Sequence, residues 1–320
     1  MNNDLKKWAL LNIEGDYYYN LSYYASSHRR ANNMGKDNKW DVPEGFYDKL
    51  LNRLPVDTSM FICSHQISSF SNSFLTRYID AKFNEKLKNA NFGVKDIINL
   101  RKKVVDMRFF NAAEFFTLDP LLLQIILTEM FSEELEEQEI RTYERLHDLV
   151  DTYIKEPFLK EPLHQQYLQT KLRVDNPKIY TEAVLKNTAE LSVKKIIDDI
   201  LQQNKGKVIY VDFWGTWCGA CLTEMPNSKV VEHEFRKKNV AFVYICLTSK
   251  EENWKAVLDK YQLGGQHYLL SDKQSGEIRT LFEISGIPNY LLIDKTGIIK
   301  ETGSHLRPSV ARDKIKEMLK

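Results

Sequence analysis

The sequence predicts an α/β fold for its C-terminal part, a mixed central sheet flanked by helices, preceded by a mainly α-helical N-terminal domain. Three observations carry that expectation. Near Leu191 the spacing of apolar residues changes from three- and four-residue intervals to nearly continuous runs. Two such runs, Val208 to Phe213 and Val240 to Leu247, alternate with helical stretches, as strands of a covered sheet do. The chain has 320 residues, more than one core of about 150 residues would use. The expected division is 1–188 for the helical domain, whose role the sequence leaves open, and 189–320 for the α/β domain.

In the first part the periodicity predicts helices over 43–53, 72–90, 93–104, 111–130, 132–154, 160–173 and 176–187, with breaks near Pro43, Pro55, Gly93, Pro120, Pro157, Pro162 and Pro177. Asp175 or Asn176 before Pro177 reads as a helix start, because proline at the first helical position lacks only an N–H that would be unpaired anyway. The run Ser132-Glu133-Glu134-Leu135-Glu136-Glu137 reads as a solvated helix face, and the tyrosines at 17–19 and 23–24 as packing of a small helical domain.

In the second part Lys207 to Phe213 is β-branched and aromatic, a strand buried on both faces, and a helix follows to about Lys238. Val240 to Leu247 is a second strand, Glu251 to Tyr261 a helix, His267 to Leu270 a short strand and Ser275 to Ile284 a helix. Asn289 to Ile293 and Ile298 to Glu301 form a hairpin around Asp294-Lys295-Thr296-Gly297, and Pro308 to Leu319 is a closing helix.

Composition excludes several function classes. The formal net charge is +1, and basic clusters such as Arg101-Lys102-Lys103 and Arg236-Lys237-Lys238 are dispersed, so no field favours nucleic acid. No stretch reaches the roughly 18–20 apolar residues of a membrane helix, so the chain carries no membrane span. Met1 to Ile13 is too soon polar for a signal-peptide core, which fits a cytosolic protein or one whose targeting segment has been removed. Four cysteines are too few for a disulfide-stapled scaffold.

Two of the four form Cys218-Gly219-Ala220-Cys221 directly after a strand. Residues three apart in a first helical turn share a face, so the two sulfurs can bond. The helix start favours negative charge on Cys218, lowering a thiol pKa from about 8.5 toward about 7. Zinc uses the same spacing but needs four ligands, and neither a second Cys-x-x-Cys nor a suitably spaced histidine pair is present, so no metal is expected. Cys246 within its apolar run and Cys63 in Phe61-Ile62-Cys63-Ser64-His65 read as small buried residues. Nucleotide-binding glycine loops and serine elbows are absent, and no cofactor is called for.

The string Val211-Asp212-Phe213-Trp214-Gly215-Thr216-Trp217-Cys218-Gly219-Ala220-Cys221 resembles the strand-to-active-site signature of the thioredoxin superfamily, and Ile287-Pro288 after Ser285-Gly286 resembles its cis-proline loop. Pro226 is similar to the proline of the active-site helix. Cys218 and Pro288 stand 70 positions apart. That spacing, with an inserted strand–helix unit near 250–270 and Glu224-Met225-Pro226, resembles the TlpA/ResA type of thiol-disulfide oxidoreductase; a helical N-terminal part joined to such a module resembles TlpA-like proteins of Bacteroidetes.

The resemblance implies Cys218 as nucleophile, Cys221 as resolving thiol and Asp212 as the buried acid that exchanges a proton with it. It implies Trp217, Ile287, Pro288 and Gly303 as the substrate-facing positions, disulfide- or dithiol-containing proteins as substrates, an upstream redox partner and an extracytoplasmic location. The strand 240–247 contains no lysine, so the usual basic partner of the acid is missing there. Two alternatives remain at this stage: a peroxide reductase on the same fold, partly mimicked by Thr216-Trp217-Cys218, and a binding or scaffold module with a vestigial dithiol.

Overall fold

The computed structural model describes residues 3–34, 40–43, 46, 106, 109 and 120–320. The helices expected over 72–90 and 93–104, most of 43–53, the first half of 111–130, and Cys63 lie outside the described residues. The chain divides into two compact units, one comprising residues 1–133 and 141–165 and the other residues 134–140 and 166–320.

The described part of the first unit is helical: α1 (Asn3–Ser22), α2 (Tyr24–Ala31), most of α3 (Pro120–Glu136) and of α4 (Ile140–Arg145), α5 (His147–Tyr153) and the start of α6 (Pro157–Asp175). Phe131 of α3 packs against Phe109 and Tyr143, with ring centroids 4.4 and 5.6 Å apart. The Gln124 side-chain oxygen accepts from the backbone N–H groups of Lys155 and Glu156, where the chain turns into α6. Pro162, expected to end a helix, lies inside α6. Its ring removes one backbone bond to the preceding turn, and the rest of the helix is long enough to absorb that loss.

The second unit is built on a six-stranded mixed sheet of order β1 (Ala183–Lys186), β4 (Gly265–Leu269), β3 (Val240–Cys246), β2 (Val208–Trp214), β5 (Asn289–Ile293), β6 (Ile299–Gly303). β1, β4, β3 and β2 are parallel neighbours; β5 runs antiparallel to β2, and β6 runs antiparallel to β5. The connecting helices are α7 (Val193–Gln203), α8 (Gly219–Phe235), α9 (Glu251–Tyr261) and α10 (Asp272–Leu281), and α11 (Pro308–Leu319) closes the chain. Strand 183–186 corrects the helix expected over 176–187. Four residues are too few to display a period, and parallel pairing with β4 overrides the local pattern.

Side chains alternate across β2 and so load two different cores. Ile209, Val211 and Phe213 pack with α7 residues Val193, Ile196 and Ile200 and with Ile278 of α10. Val208, Tyr210 and Trp214 pack on the opposite face with Leu222, Met225 and Phe235 of α8, Trp254 and Val257 of α9, and Ala311 and Ile315 of α11. Asp212, in step with Tyr210 and Trp214, belongs to this second face. In the glutamate run at the end of α3, Glu136 is exposed and pairs with Lys260; Glu139, beyond the run, pairs with Lys250 at 2.5 Å.

Candidate active site

β2 ends at Trp214, and four residues later the chain turns into α8 with Cys218 as N-cap. The Cys221 N–H donates to Cys218 Sγ at 3.1 Å and to the Cys218 carbonyl at 2.8 Å, so the first turn folds around the leading sulfur. Cys218 and Cys221 are joined by a disulfide with their Cα atoms 5.2 Å apart. Cys218 is 6% exposed and Cys221 2%, with Gly219 and Ala220 exposed between them. Of the two sulfurs, the one at the helix tip is therefore the easier to reach from outside.

The loop before the dithiol is fixed by contacts that sequence reasoning did not single out. The Thr216 N–H donates to Ser249 Oγ at 3.1 Å, and Trp217 Nε1 donates to the Thr248 carbonyl at 2.9 Å. A Cβ on Gly215 would lie 2.9 Å from Trp217 Nε1 and 3.1 Å from the Leu247 carbonyl oxygen. Glycine at 215 is thus what lets the indole fold back over the strand ends. Its place within Trp-Gly-Thr-Trp was the available signal, but the reason is visible only with the ring in position.

Behind the dithiol a row of residues in register crosses the sheet: His267 of β4, Tyr244 of β3, Asp212 of β2, Tyr290 of β5 and Gly303 of β6. Asp212 is fully enclosed, and its Oδ1 has no hydrogen-bond partner among the described residues; the same holds for the Tyr290 hydroxyl. Desolvation, with a smaller contribution from the neighbouring Glu224, pushes the Asp212 carboxyl up to about 8. Burial holds His267 uncharged, lowering it to about 4, and raises the hydroxyls of Tyr244 and Tyr290 above their ordinary value. Near neutral pH this row holds its protons without carrying charge, and Asp212 sits at the threshold of releasing its own.

Glu224, one turn beyond Cys221 on α8, accepts from Arg307 Nη1 and from Asn227 Nδ2. The sequence assigns neither residue a role, because the two are 83 positions apart and no local pattern links them.

The remaining expected positions lie as follows. The Ile287–Pro288 peptide is cis, with Pro288 buried and Ile287 half-buried. Pro288 directly precedes Asn289, which pairs with Phe213; this sets the proline loop beside the end of β2 that leads to Cys218. Gly303 has φ +141° and lies opposite Tyr290, in line with Asp212. The space beside its Cα holds the His305 ring, 2.7 Å from an ideal Cβ. Cys246 ends β3 opposite Trp214, fully buried, and burial pushes its thiol up to about 12. It is an unreactive filler of the sheet.

Residues 206–299 match the model of a thioredoxin-like family. A thiol-disulfide oxidoreductase ResA from Bacillus cereus is 27% identical over 159 residues, spanning 49% of this chain and 84% of that protein. The ResA of Oceanobacillus iheyensis is 28% identical over 133 residues, spanning 40% of this chain and 67% of that protein. Among solved structures, the thioredoxin domain of a thiol-disulfide oxidoreductase from Bacteroides vulgatus is 25% identical over 38% of this chain and 84% of that one, with a TM-score of 0.35.

Proposed function

We propose, from the premise that the C-terminal domain of this chain belongs to the thioredoxin superfamily and is ResA/TlpA-like, that the protein is a thiol-disulfide oxidoreductase that exchanges disulfides with protein substrates through Cys218 and Cys221. The observation that carries this reading is a bonded cysteine pair capping a helix, with a buried carboxyl behind it whose Oδ1 has no partner among the described residues.

In the reducing direction the Cys218 thiolate attacks a substrate disulfide, forming one S–S bond to the substrate and releasing the other substrate sulfur as thiolate. Asp212, ionised, then accepts the proton of Cys221. The new thiolate attacks Cys218 Sγ, closing the intramolecular disulfide and expelling the second substrate thiolate. The substrate gains two electrons and the enzyme dithiol loses them, so an upstream dithiol partner must restore it. Trp217, Ile287, Pro288 and Gly303 form the substrate-facing surface, where the main chain of Ile287 can pair with an extended peptide. A catalytic domain whose sheet takes in β1 at 183–186, and which therefore begins ahead of the 1–188/189–320 boundary expected from the sequence, and work outside the cytoplasm belong to the same proposal.

The test is insulin reduction by the full chain beside a peroxide-consumption assay. Wild type should reduce insulin, Cys218→Ser should lose that activity, and Cys221→Ser should accumulate a mixed disulfide with substrate. Peroxide consumption without insulin reduction would replace this reading with a peroxide reductase, and a Cys218→Ser variant as active as wild type would end it.

A further inference from the structure

Among the described residues, no cation pairs with Asp212. The titratable groups coupled to it through space are Tyr210 of its own strand, Tyr244 and Cys246 of β3, Tyr290 of β5 and Glu224 of α8, and the dithiol of α8 packs in the same buried cluster as the three tyrosines. None of these is basic, and Glu224 adds negative charge where Asp212 must ionise. The cation of this neighbourhood arrives at one remove. Arg307, the N-cap residue of α11, places Nη1 2.5 Å from Glu224 Oε1, while Glu224 Oε2 accepts from Asn227 at 3.1 Å. The Glu224 side chain is 10% exposed and that of Arg307 48%, so the pair runs from the interior to the surface. Arg307 is also held in place from the other side. Its neighbour Leu306 is fully buried and accepts from the Tyr210 hydroxyl at 2.8 Å, which ties the start of α11 to the strand that carries Asp212.

We propose that Arg307 is a positioning residue of the dithiol site, which by pairing with Glu224 sets the pH at which Asp212 can take the proton of Cys221. The inference rests on the exchange reading above and adds a regulator of it. Glu224 opposes a second negative charge at Asp212, and the guanidinium offsets that opposition; the arginine thus does indirectly what a lysine on β3 would have done by contact. The proton moves from Cys221 Sγ to an Asp212 oxygen, and no further reactant is required.

The experiment is a carbon-13 titration of the Asp212 side-chain carboxyl in the oxidised full-length protein, which needs no turnover. Arg307→Gln should raise the midpoint by roughly half a pH unit or more, the size expected when an ion pair next to a buried acid loses its cation. Arg307→Lys should stay close to wild type. Glu224→Gln should lower the midpoint, and adding Arg307→Gln to it should change nothing further. In insulin reduction, the rising limb of the Arg307→Gln rate profile should shift alkaline by the same amount, a roughly threefold loss below that limb. A midpoint in Arg307→Gln equal to wild type, or an equal shift with and without Glu224, overturns the proposal. A wild type that titrates as expected but reduces no insulin instead overturns the exchange reading and leaves the charge relay standing.

Discussion

The two faces of the central sheet use the same strands for opposite purposes. On one face Ile209, Val211 and Phe213 meet Ile196, Ile200 and Ile278, a wholly apolar contact in which each buried side chain contributes about 1.5–3 kcal/mol. On the other, β2 and its neighbours present Tyr210, Asp212, Tyr244, His267 and Tyr290 to the helix that carries the dithiol. This face gives up part of the hydrophobic gain to bury groups that can hold or release protons. It stays compatible with folding because burial keeps those groups neutral, Asp212 raised to about 8 and His267 lowered to about 4. One face is thus wholly apolar, and the other buries titratable groups that stay uncharged in the fold.

Mutations should separate the two. The largest effect on stability is expected from Phe213→Ala on the apolar face: a loss of about 3–5 kcal/mol in denaturant unfolding, with exchange per folded molecule little changed. If exchange fell at full folding instead, the faces would not be independent. Asp212→Asn should behave in the opposite way. Exchange should slow by about a hundredfold or more as the proton acceptor is lost.

Its effect on stability follows from the raised carboxyl. Between the unfolded value of about 4 and the folded value of about 8, the folded chain keeps a proton that the unfolded chain has released, so wild-type stability falls as pH rises through that window. Asp212→Asn removes that fall and should be more stable than wild type at pH 8, by at least about 1 kcal/mol, since one unit is worth about 1.4 kcal/mol. Unfolding curves of both proteins at pH 5 and pH 8 check the sign; parallel losses in the two would contradict it.

A smaller effect is expected at the loop. Gly215→Ala forces a Cβ against the Trp217 ring, so exchange should drop several-fold while the unfolding midpoint moves little; tryptophan fluorescence should report the displaced indole. The smallest effect belongs to Cys246→Ala. It should leave insulin reduction at the wild-type level and cost about 1 kcal/mol as a buried sulfur is lost. Any loss of exchange there would bring a third sulfur into the chemistry.

Much of the second unit was legible in the sequence because its signals are local. The β-branched run ending at Trp214, the Cys-x-x-Cys behind it and the turn at 294–297 each lie within a few residues, and the helices at 251–261 and 308–319 fall where their periodicity puts them. Other features depended on partners distant in the chain. Strand 183–186 exists because β4 offers it an edge, and Glu136 and Glu139 meet Lys260 of α9 and Lys250 at its N-cap, more than a hundred positions away.

The amino-acid sequence by itself determined the α/β character of the C-terminal part, the position of the dithiol at the head of a helix and the presence of an acid six residues before it. These follow from period, propensity and spacing, which neighbouring residues set among themselves. Only the tertiary structure decided that Asp212 stands in a row of tyrosines with an unpartnered oxygen, that Trp217 folds over Gly215, and that Arg307 pairs with Glu224 across 83 positions. Strand register and helix docking bring those groups together, and both are fixed by packing across the whole domain.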